Sequence, residues 1–173
     1  MEDSELEKLQ YPIGKYKAPE VYSAAYIQEA ISQIASFPER LKREVIHLSE
    51  DQLNTPYRRD GWSIRQVIHH CGDSHVNCYI RLKWALTEEI PIIKYYYEDR
   101  WGLLEDNLTM PIQPSLLLLE GLHYRLAYLM GSLNNTDLKK SFIHPEHNKE
   151  IQIQELISLY AWHGNHHIAH ITE

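Results

Sequence analysis

Histidines 163, 166, 167 and 170 occupy the i, i+3, i+4, i+7 spacing that a helix ordinarily fills with leucine. Upstream the same stripe reads Leu156, Leu159, Tyr160, so an apolar face turns into imidazole partway along. Imidazole is the commonest protein ligand for zinc and suits nickel, copper and iron as well, and two histidines one turn apart can share an ion. Four buried imidazoles without a common partner would leave ring nitrogens unsatisfied at about 1–3 kcal/mol each. One helical turn supplies two ligands, so a third must come from another element.

Four long periodic segments are available to position it. The first runs from about Tyr22 to His47, with Ala24, Ile27, Ile31, Ile34, Leu41 and Val45 at helical intervals and Pro38 expected to break or kink it. The second starts at Trp62-Ser63, where Ser63 and Gln66 have capping-box spacing, and ends near Glu88. The third opens at Pro114 and stops at Gly131. The fourth runs from about Gln154 through the histidine stripe. Residues 1–19, with Pro12, Gly14 and Pro19, read as an extended arm. Residues 91–111 form a long connection with a short helix near Glu98–Glu105, and a small hairpin is expected around His144–Lys149. The expected fold is a single all-α domain over residues 1–173, a four-helix bundle with irregular connections, which is a class that builds metal sites from facing helices.

The second segment carries His69, His70 and His75. With the core direction taken from Ile64, Val67, Ile68 and Cys71, His75 points to the middle of the stripe; His70 lies about 110° away and His69 about 145°, at 100° per residue. Angle therefore favours His75 or His70, and turns His69 away from the core. A ligand at the stripe's edge would look into an open mouth of the bundle, and three protein ligands with a free position make a catalytic rather than a closed site. A lone histidine on an apolar face, as His75 or His123 would otherwise be, reads as a hydrogen-bonded core residue.

Composition sets the class. The 173 residues carry a formal charge of −7, which argues against broad attraction to nucleic acid or an anionic membrane and favours a small-molecule substrate. The acidic start and the lack of a long apolar run make the cytoplasm the expected address. Cys71 and Cys78 stand two turns apart on one helix and cannot bridge. Tyr95–Tyr97 and Trp101 read as a lid, as packing or as a homodimer surface.

The strings YPIGKY, LNTPYRRDGWSIRQVIHH, DSHVNCYIRLK and AWHGNHHIAHITE resemble the YfiT-type proteins, also described as bacillithiol transferases, of the DinB-like metalloprotein superfamily. The resemblance runs from Tyr11 to Thr172. It implies that one metal, zinc or nickel, is held by His70, His163 and His167, against His75 and against the pair His166 and His170. It also implies an enzyme in which the metal activates either bacillithiol, for S-transfer to an electrophile, or water, for hydrolysis of a small ester or amide. A non-catalytic metal-binding protein is the remaining alternative. On this reading His166 and His170 are candidates to shuttle protons, Asp73 is placed one turn from His70 to orient its ring, and Arg59, Arg65 and Arg81 are candidates to bind the carboxylates of an anionic thiol.

Overall fold

The computed structural model describes residues 3–146 and 148–172. The elements in order are α1 (Asp3–Gln10), α2 (Ala24–Val45), α3 (Glu50–Leu53), α4 (Ile64–Thr87), α5 (Glu98–Trp101), α6 (Glu105–Thr109), α7 (Gln113–Gly131), α8 (Asn135–Leu138), β1 (Ser141–His144), β2 (Lys149–Gln152) and α9 (Ile153–Thr172). The long helices α2, α4, α7 and α9 form a four-helix bundle. Among the described residues, no helix is long and apolar enough to cross a membrane.

The bundle is not wound in simple up-and-down order. Helix α2 packs on α7 and α9, and α4 packs on the same two, so α2 and α4 stand at opposite corners. Contacting residues rise together along α2 and α9, as in Tyr26 with Ser158 and Arg40 with Asn165. They also rise together along α4 and α7, as in His69 with Ser115 and His75 with His123. Along α4 and α9 they run in opposite senses, as in His70 with His163 and Ser74 with Tyr160. Two parallel neighbour pairs result, and the chain crosses a diagonal on its way from α2 to α4 and again from α7 to α9. This topology sets the first half of α4 beside the second half of α9.

Local signals explain the ends of α4. Ser63 accepts from the Gln66 backbone N–H while the Gln66 side chain accepts from the Ser63 N–H, so the capping box is complete. The hairpin pairs Phe142 with Ile151, and their side chains enter the core. Two apolar clusters fill the bundle. One holds Ile27, Ile31, Leu126, Phe142 and Leu156, and the other holds Phe37, Leu41, Ile68 and Leu119. His75 and His123 touch both clusters, packing on Phe37 of the second and reaching Tyr160 and the Ile34 carbonyl of the first.

Three expectations are corrected. The arm is not extended throughout, because Asp3–Gln10 is helical. Lys8 in its last turn complements the helix dipole, and a Lys15–Glu7 ion pair at 2.8 Å closes the following turn against it. Of the two outcomes expected at Pro38, the break does not occur, since α2 runs without interruption from Ala24 to Val45. The Ile34 carbonyl, which loses its helical donor to the proline, is met instead by His123 Nδ1 at 2.6 Å. His69 is not turned to solvent. It is buried against α7 and the connection before it, with Nδ1 2.8 Å from Ser115 Oγ and Nε2 3.1 Å from the Met110 carbonyl.

Candidate metal centre

His70 comes from the first half of α4, and His163 and His167 from one face of α9, one turn apart. One nitrogen from each ring lies within 4.8 Å of the other two, the only such group of three His, Cys, Asp or Glu among the described residues. The Nε2 atoms of His70 and His163 are 3.4 Å apart. Two nitrogens each about 2.0–2.1 Å from a tetrahedral ion stand about 3.3 Å apart, so this spacing fits a shared divalent metal.

Protonation fits as well. Burial pushes His70 down to about 4, and the nearby His170 and His166 add to the shift. His163 and His167 fall well below the ordinary histidine range, again through burial first and neighbouring imidazoles second. All three rings are neutral at pH 7 and keep the lone pair that a metal ligand needs.

A cavity of about 390 Å³ opens over the three rings. Its walls come largely from outside the four long helices. Tyr57 and Trp62 arrive from the connection before α4, Tyr96, Glu98 and Asp99 from the segment around α5, and Gln10 and Tyr11 from the end of α1. Trp62 lies with its ring 4.6 Å from that of His70, and it also packs against Gly102, where a Cβ would come within 3.2 Å of the indole. Tyr57 stacks on His170 at 4.0 Å. Among the described residues, no lysine or arginine lines the cavity.

The remaining sequence candidates are placed as follows. His166 and His170 both line the cavity. His166 stacks on Trp162 at 4.5 Å with its buried Nδ1 unpartnered, and burial brings it down to about 4. His170 Nε2 lies 3.1 Å from the Gln10 carbonyl and its Nδ1 3.3 Å from His167 Nδ1. Asp73 points toward α6, where it accepts from Asn107 Nδ2 at 3.3 Å. Arg59 is exposed beside Asp60. Arg65 is buried on another side of α4, held by Glu50, Asn54 and the Met110 carbonyl. Arg81 is buried behind the cavity wall, 5.8 Å from the Tyr96 ring. Cys71 and Cys78 are free and buried, and burial pushes both thiols up. His75 and His123 are buried and in contact, with His75 Nδ1 2.6 Å from His123 Nε2 and His75 Nε2 3.0 Å from His163 Nδ1.

Of the run Tyr95–Tyr97 and Trp101 that the sequence offered as a lid, Tyr96 lines the cavity, whereas Tyr57, Trp62, Glu98 and Asp99 escape sequence reasoning because irregular segments have no period. Trp62 and Tyr57 carry one usable signal, since they flank the charged turn that precedes the capped start of α4.

Comparison with known proteins adds a family. Residues 33–171 match the family model described as the DinB superfamily. A protein of Oceanobacillus iheyensis is 49% identical over 162 residues, covering 94% of this chain and 93% of its own length. YfiT of Bacillus subtilis is 44% identical over 165 residues, covering 95% and 93%. Both are provisionally named metal-dependent hydrolases. The solved structure of Bacillus subtilis YfiT, described in equally provisional terms as a metal-dependent hydrolase with an unusual four-helix bundle topology, matches with a TM-score of 0.93 over 95% of this chain and 94% of that one.

Proposed function

Starting from the fact that the chain belongs to the DinB superfamily, we propose that it is a metal-dependent hydrolase of a small molecule, with His70, His163 and His167 holding one divalent ion, zinc or nickel. The observation that carries this reading is the convergence of three neutral imidazoles, from two helices, at the floor of an open cavity. Bound there with a free position, the ion supplies Lewis acidity toward a water or a substrate carbonyl.

The chain's own residues do the rest. Tyr57, Trp62 and Tyr96 give the cavity apolar faces against which a small substrate can stack, and they limit the water around it. Glu98 and Asp99 put carboxylates on one wall, where either can take a proton from an attacking water. Tyr95 donates to Glu98 Oε2 at 3.1 Å and so orients that carboxylate.

Charge bears on the choice between hydrolysis and transfer of an anionic thiol such as bacillithiol. Glu98 and Asp99 offset the charge of a bound divalent ion, and among the described residues no lysine or arginine lines the cavity to pair with the carboxylates of an anionic thiol, which supports a neutral substrate. The test is a panel of neutral, cationic and anionic activated esters and amides with the zinc-loaded and nickel-loaded protein, with and without added thiol. Metal-dependent hydrolysis that needs no thiol and disfavours anionic substrates is the expected result. Thiol-dependent conjugation without hydrolysis would replace this reading with S-transfer.

A further inference from the structure

We propose that His75 and His123 are positioning residues, which hold His163 in the tautomer that leaves its Nε2 free for a metal, through a relay that starts at a backbone carbonyl in α2. The proposal rests on the metal assignment of His163 for its consequence, but the relay itself is a property of the metal-free chain.

The direction of the relay follows from its first member. Pro38 has no N–H, so the Ile34 carbonyl lacks its helical donor, and His123 Nδ1 lies 2.6 Å from it. A carbonyl can only accept, so His123 carries its proton on Nδ1. A neutral imidazole has one donor and one acceptor. His123 Nε2 is therefore bare and accepts from His75 Nδ1 at 2.6 Å. His75 Nε2 is then bare in its turn and accepts from His163 Nδ1 at 3.0 Å. His163 is left with a bare Nε2, and that is the atom 3.4 Å from His70 Nε2. Reversing any one tautomer sets two lone pairs, or two N–H groups, against each other.

His75 and His123 are each only 1% exposed, so both rings are out of reach of water and their charged form is disfavoured. The ring of Phe37 packs on both, at 5.0 Å from His75 and 5.1 Å from His123, which fixes their planes. A shorter relay treats His167 in the same way. The Gln10 carbonyl accepts from His170 Nε2, His170 Nδ1 accepts from His167 Nδ1, and His167 Nε2 is left bare. Both α9 imidazoles of the cluster thus have their Nδ1 protons engaged by chains that end on backbone oxygen in other elements. Proline at 38, unfavourable in a helix interior, is what releases the carbonyl that anchors the longer chain.

The test has two arms. Ring-nitrogen NMR of histidine-labelled, metal-free protein should show His123, His75 and His163 each protonated on Nδ1. Zinc affinity, measured by competition with a chromophoric chelator, should weaken by about 10–100-fold in His75→Leu. It should stay closer to the wild type in His75→Gln, whose amide oxygen can still accept from His163. A proton on His163 Nε2 in the metal-free wild type would overturn the relay, as would equal zinc affinities in the two variants. If His75→Leu does not fold, His75→Gln and the wild-type spectrum still decide. If the wild type binds no zinc, the metal assignment fails while the spectrum still judges the relay.

Discussion

His70 Nε2 and His163 Nε2 face each other at 3.4 Å across the contact between α4 and α9, within about 0.1 Å of the separation two nitrogens adopt on one tetrahedral zinc. An ion shared by His70 and His163, as proposed, needs little movement of either ring.

The ligand set should separate cleanly by mutation. His70→Ala, His163→Ala and His167→Ala should each purify without stoichiometric zinc or nickel by elemental analysis. His69→Ala should keep its metal yet lose about 1–3 kcal/mol of stability in urea, because Ser115 Oγ and the Met110 carbonyl lose their partner. Full metal content in His167→Ala would remove that residue from the set.

Metal removal should leave the fold intact. The core holds two apolar clusters, and each is built from at least three of the long helices without any of the proposed ligands. Chelator-treated protein should retain its helical circular dichroism and lose only its metal-dependent activity. Loss of the helical signal would mean that the ion is part of the core.

Acid should destabilise the metal-free protein. His70, His123 and His166 are held at about 4 when folded, against about 6.5 in an unfolded chain. Between those values the unfolded chain binds more protons, so stability is complete above about pH 6.5 and drains as the pH falls toward 4. Each such group contributes up to about 1.4 kcal/mol per pH unit in that window. Thermal midpoints at about pH 7.5, 6 and 5 should fall in that order, and a flat series would contradict burial of these rings in neutral form.

Two glycines in long helices should respond in opposite ways to alanine. At Gly164 a Cβ would meet Phe37 Cδ2 at 2.8 Å and displace the ring that packs on His75 and His123. Gly164→Ala should cost about 1–3 kcal/mol and weaken metal binding. At Gly121 nothing lies within 4 Å of the added carbon, so Gly121→Ala should gain about 0.5–1 kcal/mol from helix propensity alone.

Periodicity made the four long helices legible, and the Ser63–Gln66 spacing located the start of α4 to the residue. It could not show which helix each apolar stripe meets, because a period reports a buried face and not the neighbour that buries it. The diagonal crossings were therefore invisible, and so was the burial of His69, whose side of α4 is covered by α7 and the segment at Met110. That Pro38 does not break α2 was hidden for a related reason, because the donor that meets the Ile34 carbonyl belongs to His123, 89 residues further along the chain. The cluster of His70, His163 and His167 was legible only in part. Spacing on α9 allowed two pairs, angle on α4 favoured His75 as readily as His70, and the choice among them came from resemblance. Their convergence depends on the antiparallel contact of α4 with α9, which spacing within one helix does not encode.

The separation of His70 from His163 by 93 positions has a consequence for how the chain is made. A ribosome delivers α4 and its histidines well before α9, and until then His70 has no second imidazole from the cluster to share an ion with. Helix α2 can pack on α7 before α9 is made, but with His70, His163 and His167 as the proposed ligands, binding by all three waits until α9 docks against α4.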